Sequence, residues 1–303
     1  MSQVMDSLLE IIQTDPLPEG YTSSYWQEFG RQTVVERRQG ALMMEGVQFG
    51  AVYARNPLIH LMHQAERFSY RSLTQSLDSY PVMWRAAKRL ARELSFALTF
   101  DVWKPAVILS ILWDHWMTYD VMPRTVMVIG DGYGFLGALI HRQWPSARIY
   151  CVDLPKTLAF QVRTHETADP AATKSLLTDT RGPISEIMFV CPQHVEQVTD
   201  SIDCAINIAS MQEMNYETIA HYFRALRRRS TPRSRFYCVN RLDKQLPGGE
   251  RIQFHQYPWD ANDEVFLDGP CPFYTHFLSL RSPFVNHFDG VHQHRLVRLA
   301  PES

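Results

Sequence analysis

The chain has 303 residues, 45% of them hydrophobic and 20% charged, with 30 basic against 32 acidic side chains and a net charge of −2. These are ordinary values for a globular protein of one large domain or two modest ones, and the near-neutral balance gives no field that would draw nucleic acid or an anionic membrane. The first residues, Met-Ser-Gln-Val-Met-Asp, carry no basic segment ahead of an apolar one, and the apolar run 106–113, broken by Ser110, is too short to cross a bilayer. A soluble, cytoplasmic protein is expected.

Residues 1–120 read as helical. Apolar positions recur at three- and four-residue spacing from Leu42 to Met62 and from Trp84 to Phe100. In the second stretch Arg85, Lys88, Arg89, Arg92 and Glu93 form a solvated face. Pro57, Pro81 and Pro105 punctuate the helices, and the region is rich in aromatics, among them Tyr25, Trp26, Tyr53, Tyr70, Trp84 and Trp103. These build a helical core, and some could roof a pocket.

From residue 125 strand and helix alternate. Strands are predicted near 125–129, 148–152, 186–191, 203–208 and 235–239, and helices near 134–144, 155–167 and 214–229. This alternation implies a parallel sheet with right-handed crossovers. A Pro- and Gly-containing irregular stretch follows Arg241, then two strands near 275–281 and 292–299 that would close the sheet edge as an antiparallel hairpin. The expected fold class is α/β: a Rossmann-like, doubly wound, seven-stranded sheet spanning 121–303, preceded by a helical region, 1–120, that covers a pocket or makes a homodimer contact. The five cysteines include no Cys-x-x-Cys pair. Cys151, Cys191, Cys204 and Cys238 fall in separate predicted strands, which suits buried, reduced thiols rather than a disulfide framework or zinc site.

The motif with the most chemistry runs Val126-Met-Val-Ile-Gly-Asp-Gly-Tyr-Gly-Phe-Leu-Gly137, followed by Asp153 at the end of the next apolar run. Glycines after a first strand let backbone approach a ligand, and an acid at the tip of the second strand can accept from both hydroxyls of a ribose. Two cofactors fit, a nicotinamide dinucleotide and S-adenosylmethionine. The glycines Gly130, Gly132 and Gly134 are spaced GxGxG, and Phe135 stands where a dinucleotide site would have its third glycine. No tyrosine has a lysine four residues on, so the short-chain dehydrogenase pattern is missing. S-adenosylmethionine is the favoured cofactor.

The fourth predicted strand and its exit read Asp203-Cys-Ala-Ile-Asn-Ile-Ala-Ser-Met-Gln-Glu-Met-Asn215. Ligands of open α/β sheets bind outside the carboxyl ends of strands, beside the switch in strand order. Asn207, Ser210, Gln212 and Glu213 are therefore placed to meet cofactor and acceptor. The plainer readings are a hydrogen-bonded strand end for Asn207 and a helix N-terminal acid for Glu213.

Ile129-Gly-Asp-Gly-Tyr-Gly, Val152-Asp-Leu-Pro, Ser210-Met-Gln-Glu-Met and Phe236-Tyr-Cys-Val-Asn-Arg together resemble the sugar O-methyltransferases of bacterial surface-polysaccharide and glycosylated-metabolite clusters, which are class I S-adenosylmethionine-dependent enzymes. The resemblance covers roughly residues 120–245, and Ser24-Tyr-Trp extends it toward the N-terminus. It implies that Gly130, Gly132 and Gly134 line the methionine end of the cofactor, with Asp131, inside the glycine turn, as a further cofactor-binding candidate. Asp153 with Leu154 would take the ribose, and Pro192, Gln193 and His194 would lie near the adenine. Asn207 and Ser210 complete the set. One position departs from the pattern: the residue two before Gly130, usually acidic, is Val128.

A sugar hydroxyl is a poor nucleophile, so a base or a metal must help remove its proton. Glu213 and His255 are the candidate bases, and Tyr257 and Trp259, next to His255, could stack on a sugar ring. A divalent metal is not favoured; the nearest ligand sets are Asp260, Asp263 and Glu264, or His292 with His294. The six arginines of 224–235 suit a helix C-terminus better than nucleic acid. The expected activity is O-methylation of a sugar-like small molecule. Alternatives are N-methylation of a small metabolite and a catalytically silent cofactor-binding scaffold.

Overall fold

The computed structural model describes residues 2–16, 18–38, 41–46, 50, 52–54, 56–178 and 184–301. The N-terminal helices are α1 (Gln3–Thr14) and α2 (Ser24–Gln32), each begun by a serine whose hydroxyl accepts an amide of the first turn. A hairpin of β1 (Val34–Arg38) and β2 (Ala41–Glu45) follows. It overturns the helix expected from Leu42, because the apolar residues Leu42–Met44 pair across the hairpin with Arg37–Val35; residues 47–49, 51 and 55 of that expected helix lie outside the described ones. Next come α3 (Pro57–Ser69), α4 (Arg71–Gln75), α5 (Tyr80–Glu93) and α6 (Phe100–Tyr119). Pro57 opens α3 and Pro81 lies in the first turn of α5, where a missing N–H costs nothing.

In α5 the residues Met83, Ala87, Leu90 and Ala91 bury one face while Arg85, Arg89, Arg92 and Glu93 stay exposed. Helix α6 is buried almost all round, from Val102 and Trp103 through Leu112 to Trp116. The Trp103 indole is fully buried and donates to Tyr80 Oη at 3.0 Å. Its truncation to alanine would cost about 3–5 kcal/mol.

The central sheet begins with β3 (Thr125–Ile129), then α7 (Phe135–Gln143), β4 (Arg148–Val152), α8 (Pro155–Ala168), β5 (Lys174–Leu177), β6 (Ile187–Val190), β7 (Cys204–Ile208), α9 (Tyr216–Arg228) and β8 (Arg235–Arg241). A hairpin of β9 (Asp243–Gln245) and β10 (Arg251–Gln253) follows, then β11 (Glu264–Pro270), a second hairpin of β12 (His276–Leu278) and β13 (Val285–His287), and finally β14 (His292–Arg298). The sheet has the order β11-β14-β8-β7-β3-β4-β6-β5. All neighbours from β5 to β8 are parallel, and β14 and β11 are added antiparallel.

This is the Rossmann-like, doubly wound α/β class, with two corrections. There are eight strands rather than seven, because β5 adds an edge beside β6. The antiparallel partner of the last strand is β11, whereas the apolar segment expected there makes only the small β12–β13 hairpin. Cys151, Cys204 and Cys238 lie in β4, β7 and β8, and Cys191 falls one residue past β6; these four and Cys271 are buried free thiols.

Strand side chains alternate between two apolar layers. Val126, Val128, Ile149 and Cys151 face α6, α7 and α8, while Met127, Ile129, Tyr150 and Val152 face the layer that holds α9. The first layer also contains residues of α1 and α5, so the N-terminal helices share a core with the sheet. Strand order reverses between β7 and β3, and the crevice at their carboxyl ends is where this topology places a ligand. Among the described residues no helix is long and apolar enough to cross a membrane.

Candidate active site

At that switch point the chain encloses a cavity of about 280 Å³, at the small end of small-molecule sites. Its floor is the turn after β3. Gly130, Gly132 and Gly134 all have left-handed φ, 76°, 57° and 78°, which glycine alone adopts freely. A Cβ on Gly130 would stand 2.1 Å from Ser210 Oγ, so the close approach of the two strand-end loops requires glycine there.

Asp131, within the turn, folds back on the helix that follows. Its carboxylate accepts from Leu136 N at 3.2 Å and Gly137 N at 2.7 Å, capping α7 from inside the glycine turn. Burial pushes its pKa up to about 7, against these amides and Lys104, which pull it down. Asp153, at the tip of β4, is buried and accepts from Leu154 N and Gln161 Nε2, both at 2.8 Å. Burial, with Asp131 adding to it, also raises Asp153 to about 7. Leu154 and Thr157, at the start of α8, and Pro192, after β6, line the same end.

Ser210 and Glu213 form the β7 side. Glu213 sits in a single helical turn, Met211–Glu213, and its Oε1 accepts from Lys244 Nζ at 2.7 Å. Burial raises its pKa, and Lys244 opposes the rise. The Tyr25 hydroxyl also hydrogen-bonds Glu213, and the Lys244 ammonium lies 4.5 Å from the Tyr25 ring centroid. The N-terminal segment is latched over this side. Ser23, the cap of α2, donates its hydroxyl to the Glu213 carbonyl, and Thr218 Oγ1 donates to Gly20 O at 3.1 Å. Tyr21, Tyr25 and Trp26 thereby close the cavity.

The remaining wall comes from α6, which contributes Asp101, Lys104, Pro105 and Ile108. Four acids, Asp101, Asp131, Asp153 and Glu213, thus face the cavity, and Lys104 is the single base among the lining residues.

The predicted site residues divide. Gly130, Asp131, Gly132, Gly134, Asp153, Leu154, Ser210 and Glu213 all line the cavity. Asn207 is fully buried behind it, donating to Ile129 O at 3.0 Å and Ser210 Oγ and accepting from Met211 N and Asn240 Nδ2; it braces the strand ends. Gln193 is half-buried beside Pro192 and outside the cavity lining, and its buried Oε1 has no hydrogen-bond partner among the described residues. Gln212 ties the β7 exit to β8, accepting from Arg241 N at 2.8 Å.

His255 is exposed and lies outside the lining, so of the two candidate bases Glu213 alone is brought to the cavity. Tyr257 and Trp259 pack against Phe223 and Phe254 in the apolar layer rather than on the cavity. No cluster of three or more metal-ligating side chains occurs among the described residues. Asp263 is held by Arg227 at 2.7 Å and Glu264 by Arg298, while His292 stacks on Tyr274 and His294 meets Tyr237 Oη at 3.1 Å. The arginines of 224–235 include similar fasteners: Arg228 pairs with Glu196, and Arg229 donates to two backbone carbonyls. Val128 is buried in the layer under α6.

Asp101, Lys104, Tyr21 and Lys244 were missed by sequence reasoning. A signal existed for two of them: Asp101 and Lys104 are charges one turn apart in the stretch 100–112, which is otherwise apolar except for Ser110.

No family model and no curated protein matches the chain. Among solved structures it is similar to the mitomycin 7-O-methyltransferase MmcR at 14% identity, covering 98% of this chain and 94% of that one with a TM-score of 0.40. It is also similar to the methyltransferase CalO6 at 18% identity, over 61% and 60% of the two chains with a TM-score of 0.40. A third is an S-adenosylmethionine-dependent methyltransferase from Clostridium acetobutylicum at 10% identity, over 62% and 89% with a TM-score of 0.41. These are distant likenesses.

Proposed function

We propose that the protein is an S-adenosylmethionine-dependent O-methyltransferase acting on a hydroxyl of a small, sugar-like molecule. The observation that carries this reading is the acidic lining of the cavity: four carboxyl groups, two with pKa values near 7 and one paired with Lys244, against the single lining ammonium of Lys104, around a turn of left-handed glycines. Such a lining attracts a cation and repels a pyrophosphate. The start of α7, where a dinucleotide would place its phosphates, is already capped by Asp131. A positively charged sulfonium cofactor fits where a nicotinamide dinucleotide does not.

Asp153 would take the ribose, the glycine turn would pass beneath the sulfur, and Pro192, after β6, would lie against the adenine. When bound, the cofactor supplies an activated methyl group whose leaving group needs no assistance. The chain's own residues then position the acceptor and exclude water, for which orientation alone is worth roughly 7–11 kcal/mol. Glu213 receives the acceptor hydroxyl's proton. Burial moves its pKa toward neutrality, and Lys244 and the Tyr25 hydroxyl hold its carboxylate in place. The rings of Tyr21, Tyr25 and Trp26 offer flat apolar faces to a sugar.

Calorimetric titration with S-adenosylmethionine, S-adenosylhomocysteine and NAD⁺ tests the cofactor. Binding of the two adenosyl-sulfur compounds but not NAD⁺ is expected, and the reverse would sink the reading. Methyl transfer to nucleotide sugars then tests the acceptor class. Binding without turnover on any hydroxyl or amine would favour the silent scaffold.

A further inference from the structure

We infer that Asp101 and Lys104 are the seat for the amino-acid tail of the cofactor, an assignment that rests on the adenosyl-cofactor reading above. The two side chains are one turn apart on α6 and both line the cavity. Their neighbours Val102, Trp103 and Ala106 are buried in the core, so the pair interrupts an apolar helix where it meets the cavity. An ammonium has three donors, yet among the described residues the one hydrogen-bond partner of Lys104 Nζ is the Tyr274 hydroxyl at 2.9 Å. The Asp101 carboxylate stands 3.8 Å away, beyond hydrogen-bond length.

A lysine held by a neutral phenol and a slightly distant acid keeps donor capacity for a ligand. Gly50 lies close beside Asp101, where a Cβ would fall 2.3 Å from Oδ2. The result is one anion and one cation side by side on the wall. An α-amino acid zwitterion presents the complementary pair, its carboxylate toward Lys104 and its ammonium toward Asp101. The adenosine end of the same molecule is accounted for by Asp153, and Glu213 stands at the β7 side with the acceptor, which leaves α6 for the tail.

The test separates tail from nucleoside. S-adenosylhomocysteine and 5′-methylthioadenosine share the thioadenosine part, but only the first has the charged tail. Calorimetry on the wild type, Lys104→Met, Asp101→Asn and Asp153→Ala is read for both ligands, with thermal unfolding as a check on folding. Lys104→Met and Asp101→Asn should each weaken S-adenosylhomocysteine about 10–100-fold while changing methylthioadenosine less than about twofold. Asp153→Ala should weaken both ligands. Equal losses for both ligands in the α6 variants, or no loss for S-adenosylhomocysteine, would show that the pair is a structural fastener and overturn the assignment. If Lys104→Met fails to fold, Asp101→Asn carries the same comparison. If the wild type binds neither ligand, the adenosyl reading itself falls and the tail assignment falls with it.

Discussion

The cavity has two kinds of wall. The floor, made by the ends of β3, β4 and β7, is built from backbone: left-handed glycines, an acid capping the following helix, a strand-end asparagine bonded in four directions. The cover, made by α6 and the Tyr21–Trp26 segment, is built from side chains brought in from separate parts of the chain, the N-terminal ones from over 100 residues away and fixed by a few polar latches. A floor of that kind tolerates almost no substitution, because each residue is needed for its conformation as well as its contacts. A cover of that kind can change identity at each position while keeping its shape, and this is where selectivity for an acceptor can vary.

Substitutions on either side of this divide should behave differently. The largest effect is expected at their junction, where Glu213→Gln keeps the shape of the side chain and removes the base. Turnover should fall about 10²–10⁴-fold with cofactor affinity nearly unchanged, measured by single-turnover methyl transfer beside calorimetry. Undiminished turnover would leave positioning as the whole mechanism.

Next is the floor itself. Gly130→Ala should combine left-handed strain of about 1–2 kcal/mol with overpacking of about 1–3 kcal/mol against Ser210. Gly249→Ala, at φ 94° with nothing within 4 Å of the added Cβ, should show the strain alone. Equal losses of denaturation midpoint in the two variants would mean that the junction of the two strand-end loops is looser than described.

Asp153→Ala should weaken S-adenosylmethionine by about 1.5–3 kcal/mol, as for a hydrogen bond to a charged group. Unchanged affinity would remove the ribose assignment.

A smaller effect is expected from pH. Asp131 and Asp153 have folded pKa values near 7, raised by burial from 3.8. The folded state therefore binds more protons than the unfolded one between these values. The corresponding stability is fully present below pH 4 and is lost as pH rises through 7. Chemical denaturation of the ligand-free protein should show stability falling as pH rises from about 5 to 7 and levelling off above that, once both states have lost the protons. S-adenosylmethionine, as a cation, should bind more tightly at pH 8 than at pH 6; the opposite slope would contradict an acidic cavity. The smallest effect is assigned to the exposed His255, whose replacement by alanine should leave turnover within about twofold.

The same divide explains what could be read in the sequence. Gly130–Gly134, Asp153, Ser210 and Glu213 were legible because local rules fix them: a strand must end, a glycine must take positive φ, and an acid at a parallel strand tip must face the crevice. Tyr257 and Trp259 misled because an aromatic cluster in an irregular segment looks alike whether it packs inward or lines a pocket, and here Phe223 and Phe254 take both into the core while His255, between them and Phe254, stays exposed. β11 was overlooked because its sequence, Glu-Val-Phe-Leu-Asp-Gly-Pro, lacks clean alternation and ends in Gly-Pro, while the better-alternating 276–278 finds its partner in β13. The helix expected from Leu42 failed because a short apolar run has the same spacing in a hairpin as in a helical turn.

The unforeseen eighth strand has a consequence for how copies of this protein treat one another in a crowded solution. Without β5, the open edge of the sheet would be β6, Ile-Met-Phe-Val, a short, uncharged, β-favouring segment of the type that recruits further strands into aggregates. β5 takes that edge, and its own sequence, Lys-Ser-Leu-Leu, opens with a lysine folded back onto the carbonyls of Asp169 and Ala172. Helix α1 packs against this strand as well. Four residues, one charge and a helix alongside make a poor template for edge-to-edge pairing, so β5 acts as a guard that keeps the most adhesive strand of the sheet out of reach.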